Sequence, residues 1–291
     1  MDRRGFIAAG MGAAAAMAAS PVRAVMPDGV VSQEAAARPG GDGLRQSVCR
    51  WCLARLELPQ VCELARRCGV QSVELLDPDD IERVRDRGLQ CAIANGPCTI
   101  GKGLNRLEHH AEIVQRAETL FPRIAAAGCE QVIVFAGNRE GLDDQTGLWN
   151  CAVGLKRLIP LAEASGLWMA MELLNSRVDH RDHMGDRVAW GVQLCNTVSH
   201  NRFGLLYDIY HMQIMDGDVI RNMTDNVHWI RHVHTAGVPG RGPLDTEQEL
   251  NYPAIIRALR RAGYRRWIGH EFAPRSDADA ELKAAVTACL G

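Results

Sequence analysis

The sequence lacks several features that mark common protein classes. Its 291 residues carry a formal net charge of only −2, so no basic excess would attract nucleic acid, and no nucleic-acid partner is expected. No apolar run beyond the N-terminal region is long enough to span a bilayer, so no membrane span is expected once a signal is removed. The glycine fingerprint of dinucleotide-binding folds is also missing. The remaining composition, 47% hydrophobic and 23% charged, is typical of a globular protein.

The 10 cysteines are scattered and do not suggest a disulfide framework. Several fall in helical patterns, where cysteine usually acts as a small hydrophobic residue. Cys49 and Cys52 form a CxxC motif, which raises a redox hypothesis. We place this motif on the first predicted strand and not at a helix start, where a thiol pKa would be lowered. A structural role for both thiols is therefore favoured.

The N-terminal region has the composition of a targeting segment. Arg3 and Arg4 precede Phe6 and a run of small residues, and Ala24 closes a small-x-small cleavage pattern. This arrangement resembles a twin-arginine export signal over residues 1–24. It predicts a periplasmic or exported protein, and the alternative is an alanine-rich helix on a cytoplasmic one. Residues 25–44 are predicted to be a linker and residues 45–291 a single domain.

The rest of the chain alternates strand and helix patterns. Glycines stand at the ends of several predicted helices, as left-handed caps require. Strict alternation predicts an α/β fold with a parallel sheet, and eight units favour a closed (β/α)8 TIM barrel over an open sheet. The eight predicted strands span residues 47–53, 71–76, 89–94, 131–136, 168–173, 204–208, 231–235 and 267–272.

Four of these strands end in a side chain that can bind a metal ion. They stand roughly thirty residues apart, the length of one strand, one helix and two loops. Active sites of (β/α)8 barrels lie at this end of the strands. We therefore predict that the four side chains converge on one site. They are Glu172, Asp208, His234 and Glu271.

The predicted ligand set is rich in oxygen. Three carboxylates and one imidazole suit Mn2+ best, with Mg2+ and Co2+ as alternatives, and Zn2+ is less favoured without thiolates. His211 follows Asp208 by three residues and is a candidate for binding a substrate oxygen. Arg241 follows His234 by seven residues and could hold a substrate oxygen or carboxylate. The alternatives are a packing histidine and a solvated loop arginine.

Two glutamates beside a metal ion suit one type of reaction. They can move a proton between adjacent carbons of an α-hydroxycarbonyl compound, one removing it and the other returning it. The ion would polarise the substrate and stabilise the enediolate. We assign Glu172 and Glu271 to this pair because they come from strands that are not neighbours. Asp208 and His234 are then ligands only.

Several motifs in the second half of the chain resemble a known family. Residues 171–175 (MELLN), 207–211 (YDIYH), 232–241 (HVHTAGVPGR), 249–253 (ELNYP) and 269–272 (GHEF) look like hydroxypyruvate isomerase. More broadly they resemble the xylose-isomerase-like TIM barrels, which include sugar isomerases and ketose 3-epimerases. The resemblance implies the same four metal ligands, the same acid–base pair, and substrate binding by His211 and Arg241.

The sequence leaves four functions open. The first is a metal-dependent isomerase or epimerase of a small sugar or keto acid. The second is a lyase that uses the same base and metal ion on 3-keto-glycosides. The third is a phosphodiesterase of the endonuclease IV type, which would need more histidines and a basic face. The fourth is an exported binding protein without activity. A homo-oligomer is also left open.

Overall fold

A computed structural model of the chain describes residues 44–290. The predicted export signal, residues 1–24, lies outside the described residues. So does the predicted linker, except for its last residue. In the part of the chain that the structure covers, no helix is long and apolar enough to cross a membrane.

Seven parallel strands form one sheet. Each pairs in parallel with its neighbours in the order β2-β1-β7-β6-β5-β4-β3. Every strand residue except Arg45 and Trp168 is buried, as expected for a parallel sheet covered on its outer face by helices. The strands are β1 (Arg45–Cys49), β2 (Ser72–Glu74), β3 (Gln131–Val134), β4 (Trp168–Glu172), β5 (Phe203–Asp208), β6 (Ile230–Thr235) and β7 (Trp267–His270).

Residues 89–94, here called the bridging segment, close the ring between β2 and β3. Gln90 and Ala94 form isolated parallel bridges to residues 72 and 76 on one side, and Ala94 bridges Val132 on the other. The prediction of a regular third strand here was wrong in detail. The hydroxyl of Ser72 accepts the amide hydrogen of Ala92 at 2.8 Å, and this bond interrupts the ladder. The predicted α/β barrel is confirmed, with the bridging segment in place of a regular third strand.

Each strand is followed in sequence by one or two α-helices. Their apolar faces and the outward-facing strand residues form the large core cluster. A smaller cluster of Ile93, Ile133, Ala170 and Leu206 fills part of the barrel interior. The helices are α1 (Leu58–Arg67), α2 (Pro78–Arg85), α3 (His110–Ala127), α4 (Asp144–Ala164), α5 (Val188–Val198), α6 (Ile209–Met215), α7 (Val219–Asp225), α8 (Tyr252–Arg261) and α9 (Ala278–Ala288).

Two local differences from the sequence interpretation affect the site. The first strand ends at Cys49, and Arg50–Leu53 form a 3-10 helix where the strand was predicted to continue. Helix α6 was not predicted. It begins directly after β5, because the Asp208 carboxylate accepts the amide hydrogens of Tyr210 and His211 at 2.8 and 3.3 Å and caps the helix.

Candidate metal centre

The structure brings the four predicted ligands together at the carboxyl ends of the strands. Glu172 and Asp208 are the last residues of β4 and β5, His234 lies near the end of β6, and Glu271 follows β7. One ligand atom from each residue lies within 4.8 Å of those from the other three. Asp208 and His234 are fully buried, and each glutamate is only 4% exposed. Barrel closure therefore places residues up to 99 positions apart in one cluster.

His234 stands between the two glutamates. Its Nδ1 lies 3.2 Å from Oε1 of Glu172 and 2.7 Å from Oε2 of Glu271. Arg241 reaches the same cluster from the loop after β6. Its Nη2 lies 3.1 Å from Oδ2 of Asp208 and 2.6 Å from Oε2 of Glu271. The predicted substrate-binding arginine is therefore an ion-pair partner of two predicted ligands.

His211 also faces the cluster. Its side chain is fully buried, and its Nε2 lies 3.5 Å from Oδ2 of Asp208 without a hydrogen-bond partner among the described residues. The amide nitrogen of Asn175 lies 2.6 Å from Nδ1, so Nδ1 is the acceptor and Nε2 carries the proton. The carboxylate of Asp179 accepts hydrogen bonds from Asn175 and from the hydroxyl of Tyr210. These contacts leave one N–H group that can bind a substrate oxygen.

The charged groups of this cluster shift one another's pKa values. Burial raises the pKa of Asp208 to about 7, against the opposing effect of Arg241. Burial and the neighbouring Glu271 raise the pKa of Glu172. Burial also acts to raise the pKa of Glu271, but His234 and Arg241 outweigh it and hold that pKa well below its usual range. Three carboxylates in this space therefore require compensating positive charge.

The donor set fits a divalent cation. Three carboxylates and one imidazole can each offer one atom to a common point, and oxygen-rich sets of this kind bind Mn2+, Mg2+ or Co2+, and also Zn2+. These four residues could hold the ion, while His211 and Arg241 stand beside it.

Two residues at the site were missed by the sequence interpretation. The indole Nε1 of Trp51 donates to Oε1 of Glu271 at 2.7 Å. Trp51 reaches this position because the chain leaves the sheet after Cys49 and forms the 3-10 helix Arg50–Leu53. The sequence interpretation missed this contact because it extended the strand through residue 53. Glu74 lies in the barrel interior, where its Oε1 is 2.9 Å from Nε2 of His234. Glu74 was not singled out because it stands inside the second predicted strand, residues 71–76, and not at its end, where the four ligands were sought.

The CxxC motif occupies a different position from the one predicted. Cys49 caps the 3-10 helix Arg50–Leu53, so the motif does stand at a helix start. Burial nevertheless raises the pKa of the Cys49 thiol well above its ordinary value. That thiol donates to Oε1 of Glu74 at 3.3 Å, and both Cys49 and Cys52 are free. The geometry gives Cys49 a structural contact and not the features of a reactive thiolate.

A cavity of about 580 Å3 opens beside Glu172 and Glu271. Trp51 and Phe135 contribute apolar walls, and Arg116 is the basic residue of its lining. The cavity reaches both glutamates of the predicted acid–base pair. A small polar substrate could therefore contact both carboxylates from this side.

Comparison with known proteins identifies the family of this chain. A family model described as "Xylose isomerase-like TIM barrel" matches residues 62–288. A 2-oxo-tetronate isomerase from Pectobacterium atrosepticum is 28% identical over 227 residues, which cover 72% of this chain and 84% of the relative. A hydroxypyruvate isomerase from Escherichia coli is 31% identical over 114 residues, covering 38% of this chain and 44% of the relative.

Among solved structures, a protein from Brucella melitensis described as "AP endonuclease, family 2" has a TM-score of 0.72 and 26% identity. The match covers 82% of this chain and 96% of that one. Because the family match spans most of the described barrel and the named relatives are isomerases, the predicted family and enzyme class are confirmed. This chain belongs to the xylose isomerase-like TIM barrel family and is an isomerase.

Proposed function

We propose that the protein is a divalent-metal-dependent isomerase of a small α-hydroxycarbonyl compound, with Glu172 and Glu271 as its acid–base pair. The observation that carries the proposal is the convergence of both glutamates on His234, together with Asp208, within 4.8 Å. The two glutamates come from the ends of β4 and β7, which are not neighbours in the sheet. They can therefore act on a substrate from two sides.

Each residue of the cluster has a separate task in this proposal. Glu172, Asp208, His234 and Glu271 would hold the ion. The bound ion would polarise the substrate carbonyl and lower the energy of an enediolate. Glu172 and Glu271 would exchange the proton at the reacting carbon, because both residues line the cavity. His211 Nε2 and the Arg241 guanidinium would bind substrate oxygens and orient the reacting carbon.

We infer that the substrate is a sugar or a keto sugar acid. The two isomerase relatives are named for hydroxypyruvate and 2-oxo-tetronate, both small acids with a carbonyl group. Arg116 and Asp77 line the cavity together with the two glutamates, and Arg116 is the side chain that could pair with the carboxylate of such an acid. Mn2+ remains our proposed metal, because carboxylate ligands suit it. Export through residues 1–24 and homo-oligomer formation remain predictions.

The nuclease alternative also needs a test, since one similar solved structure is described as an AP endonuclease. Two observations weigh against it. The ligand cluster contains only one histidine, and the net charge of −2 offers no basic excess to bind a phosphate backbone. Incubation with abasic DNA tests this function directly, and strand incision would support it over the isomerase.

The main experiment uses Mn2+-loaded protein in deuterated water. The compounds tested as substrates are hydroxypyruvate, tartronate semialdehyde, ketohexoses and 3-keto-glycosides. We expect label uptake at the α-carbon without loss of a leaving group, whereas release of a leaving group would favour the lyase. Ligand affinity without any turnover would favour a binding protein.

Matched variants test the acid–base assignment. Glu172→Gln and Glu271→Gln should each abolish label uptake, because an amide cannot exchange the proton. Glu118→Gln makes the same change at an exposed position of α3 and should retain full activity. Full activity in either of the first two variants would overturn the assigned roles.

A further inference from the structure

Beneath the metal centre, the barrel encloses a carboxylate that the proposed reaction does not use. Glu74 is the last residue of β2, and its side chain is fully buried. Its Oε1 lies 2.9 Å from Nε2 of His234 and 3.1 Å from Nε2 of His232. The Cys49 thiol donates to the same oxygen at 3.3 Å. These contacts are needed because an unpaired buried charge is strongly disfavoured.

His234 uses its two ring nitrogens in two different layers of the barrel. Nδ1 faces Glu172 and Glu271, whereas Nε2 faces Glu74. An ionised carboxylate can only accept a hydrogen bond, so Nε2 carries the proton that binds Glu74. In the neutral ring, the lone pair is then on Nδ1. This is the nitrogen that lies among the other predicted ligands.

The neighbouring strand leaves room for this contact. Gly269 lies on β7, and a Cβ at this position would overlap Oε1 of Glu74 and lie 2.8 Å from Cδ2 of His234. The absence of a side chain at residue 269 therefore lets the carboxylate approach the imidazole. The rings of His232 and His234 stand at 90° with centroids 5.0 Å apart, so both can direct an N–H group to Glu74.

We propose that Glu74 is a positioning residue that holds His234 in the tautomer whose Nδ1 binds the metal ion. The proposal rests on the proposed function only in taking His234 as a metal ligand. A carboxylate that accepts the second N–H of a ligating histidine fixes the orientation of the ring and makes its free nitrogen a stronger donor. Glu74 acts through His234 and does not touch the substrate.

The first test measures the Mn2+ dissociation constant of the full chain by electron paramagnetic resonance. Glu74→Gln preserves the shape of the side chain but removes its charge, and we expect binding to weaken about 10–100-fold. In a His234→Gln background no imidazole remains to be oriented, so adding Glu74→Gln should change the constant less than about twofold. The non-additivity separates positioning from a general loss of structure.

Ser47→Ala is the matched control. Ser47 is also fully buried, and it donates to the hydroxyl of Ser72 at 2.8 Å. Removing this buried hydrogen bond should leave the Mn2+ dissociation constant unchanged. Melting temperatures measured without metal would show whether each variant is folded.

A second measurement needs no altered Glu74. Parent protein with isotopically labelled histidine nitrogens is loaded with NMR-active Cd2+, and His234 is assigned from the signals absent in His234→Gln. We expect the metal to couple to Nδ1 and the proton to remain on Nε2. Coupling to Nε2, an unchanged Mn2+ affinity in Glu74→Gln, or equal losses in both backgrounds would overturn the proposal.

The outcomes also separate this proposal from the proposed function. If the parent protein binds no divalent ion, both are wrong. If it binds the ion through Nδ1 but shows no isomerase activity, the proposed function fails and the role of Glu74 stands.

Discussion

Trp51 offers a sensitive test of how the chain orients Glu271. The indole donates to Oε1 of this glutamate at 2.7 Å, while Arg241 and His234 contact Oε2 at 2.6 and 2.7 Å. Trp51→Phe removes the donor but retains an aromatic ring near the Arg241 guanidinium, which lies 5.3 Å from the ring centroid. Glu271 would then be held at one oxygen, and its carboxylate could rotate away from the reacting carbon.

The expected size of the effect follows from the exposure of Trp51. A hydrogen bond to a charged group contributes about 1.5–3 kcal/mol. Trp51 is 46% exposed, so water can replace part of this bond. We take about half, which leaves roughly 0.7–1.5 kcal/mol, or about a 3–13-fold lower kcat/KM. The melting temperature should fall by no more than about 6 °C, because a loss of this size corresponds to about 2–4 °C per kcal/mol in a domain of this length.

The assay is the rate of deuterium uptake by the substrate, with the Mn2+ dissociation constant measured in parallel. Trp149→Phe is the matched control, since Trp149 lies on α4 and is 56% exposed. An unchanged kcat/KM in Trp51→Phe would refute the orienting role of the indole. An equal loss in both variants would show that the effect is not specific to the Glu271 contact.

Three further predictions concern metal binding, substrate binding and acid stability. Mn2+ at about 100 times its dissociation constant should raise the melting temperature by about 5–10 °C. The variant Asp208→Asn should lose most of this shift, and an undiminished shift would exclude Asp208 as a ligand. The variant Asn175→Ala should raise KM about tenfold with little change in Mn2+ affinity. The reason is that the Asn175 amide nitrogen lies 2.6 Å from Nδ1 of His211 and orients the imidazole ring. An unchanged KM would contradict this orienting role. Burial lowers the pKa of His183 from 6.5 to about 3, so the unfolded state binds more protons than the folded state between these values, and stability falls as pH drops through that window. For this group the loss is about 2 kcal/mol between pH 7 and pH 5. His183→Gln should reduce the measured difference in unfolding free energy by about that amount, and an equal pH dependence in both proteins would show that His183 does not contribute.

The four ligands could be predicted from the sequence because each marks the end of an apolar strand. In a closed parallel barrel, the carboxyl ends of all strands meet at one rim, so a local pattern repeated along the chain becomes a cluster in space. Asp208 had a second role that this pattern does not show. Its carboxylate also caps α6. Because β5 passes directly into this helix, no separate turn residues mark the start of the helix in the sequence.

Trp51 and Glu74 could not be placed by the same reasoning. The position of Trp51 depends on where β1 ends, and strand ends are the least certain feature of a local pattern. Glu74 faces the barrel interior, but so do alternate residues of the other strands. Only closure of the barrel decides which interior side chains from distant strands meet. The contact of Glu74 with His234 joins β2 to β6 across the barrel and has no local signature.

The charge balance of the centre explains how three carboxylates can be buried together. In the structure, Arg241 supplies one positive charge, and the carboxylates around His234 raise its pKa well above the ordinary value although burial opposes this. A bound divalent ion would need the lone pair of Nδ1 and would therefore keep His234 neutral. The two charges of the ion and the one of Arg241 would then balance the three ligand carboxylates of Glu172, Asp208 and Glu271, while N–H and S–H donors stabilise the separate carboxylate of Glu74. An arginine beside the ligands thus suits this site, because it supplies the third positive charge that a divalent ion alone does not.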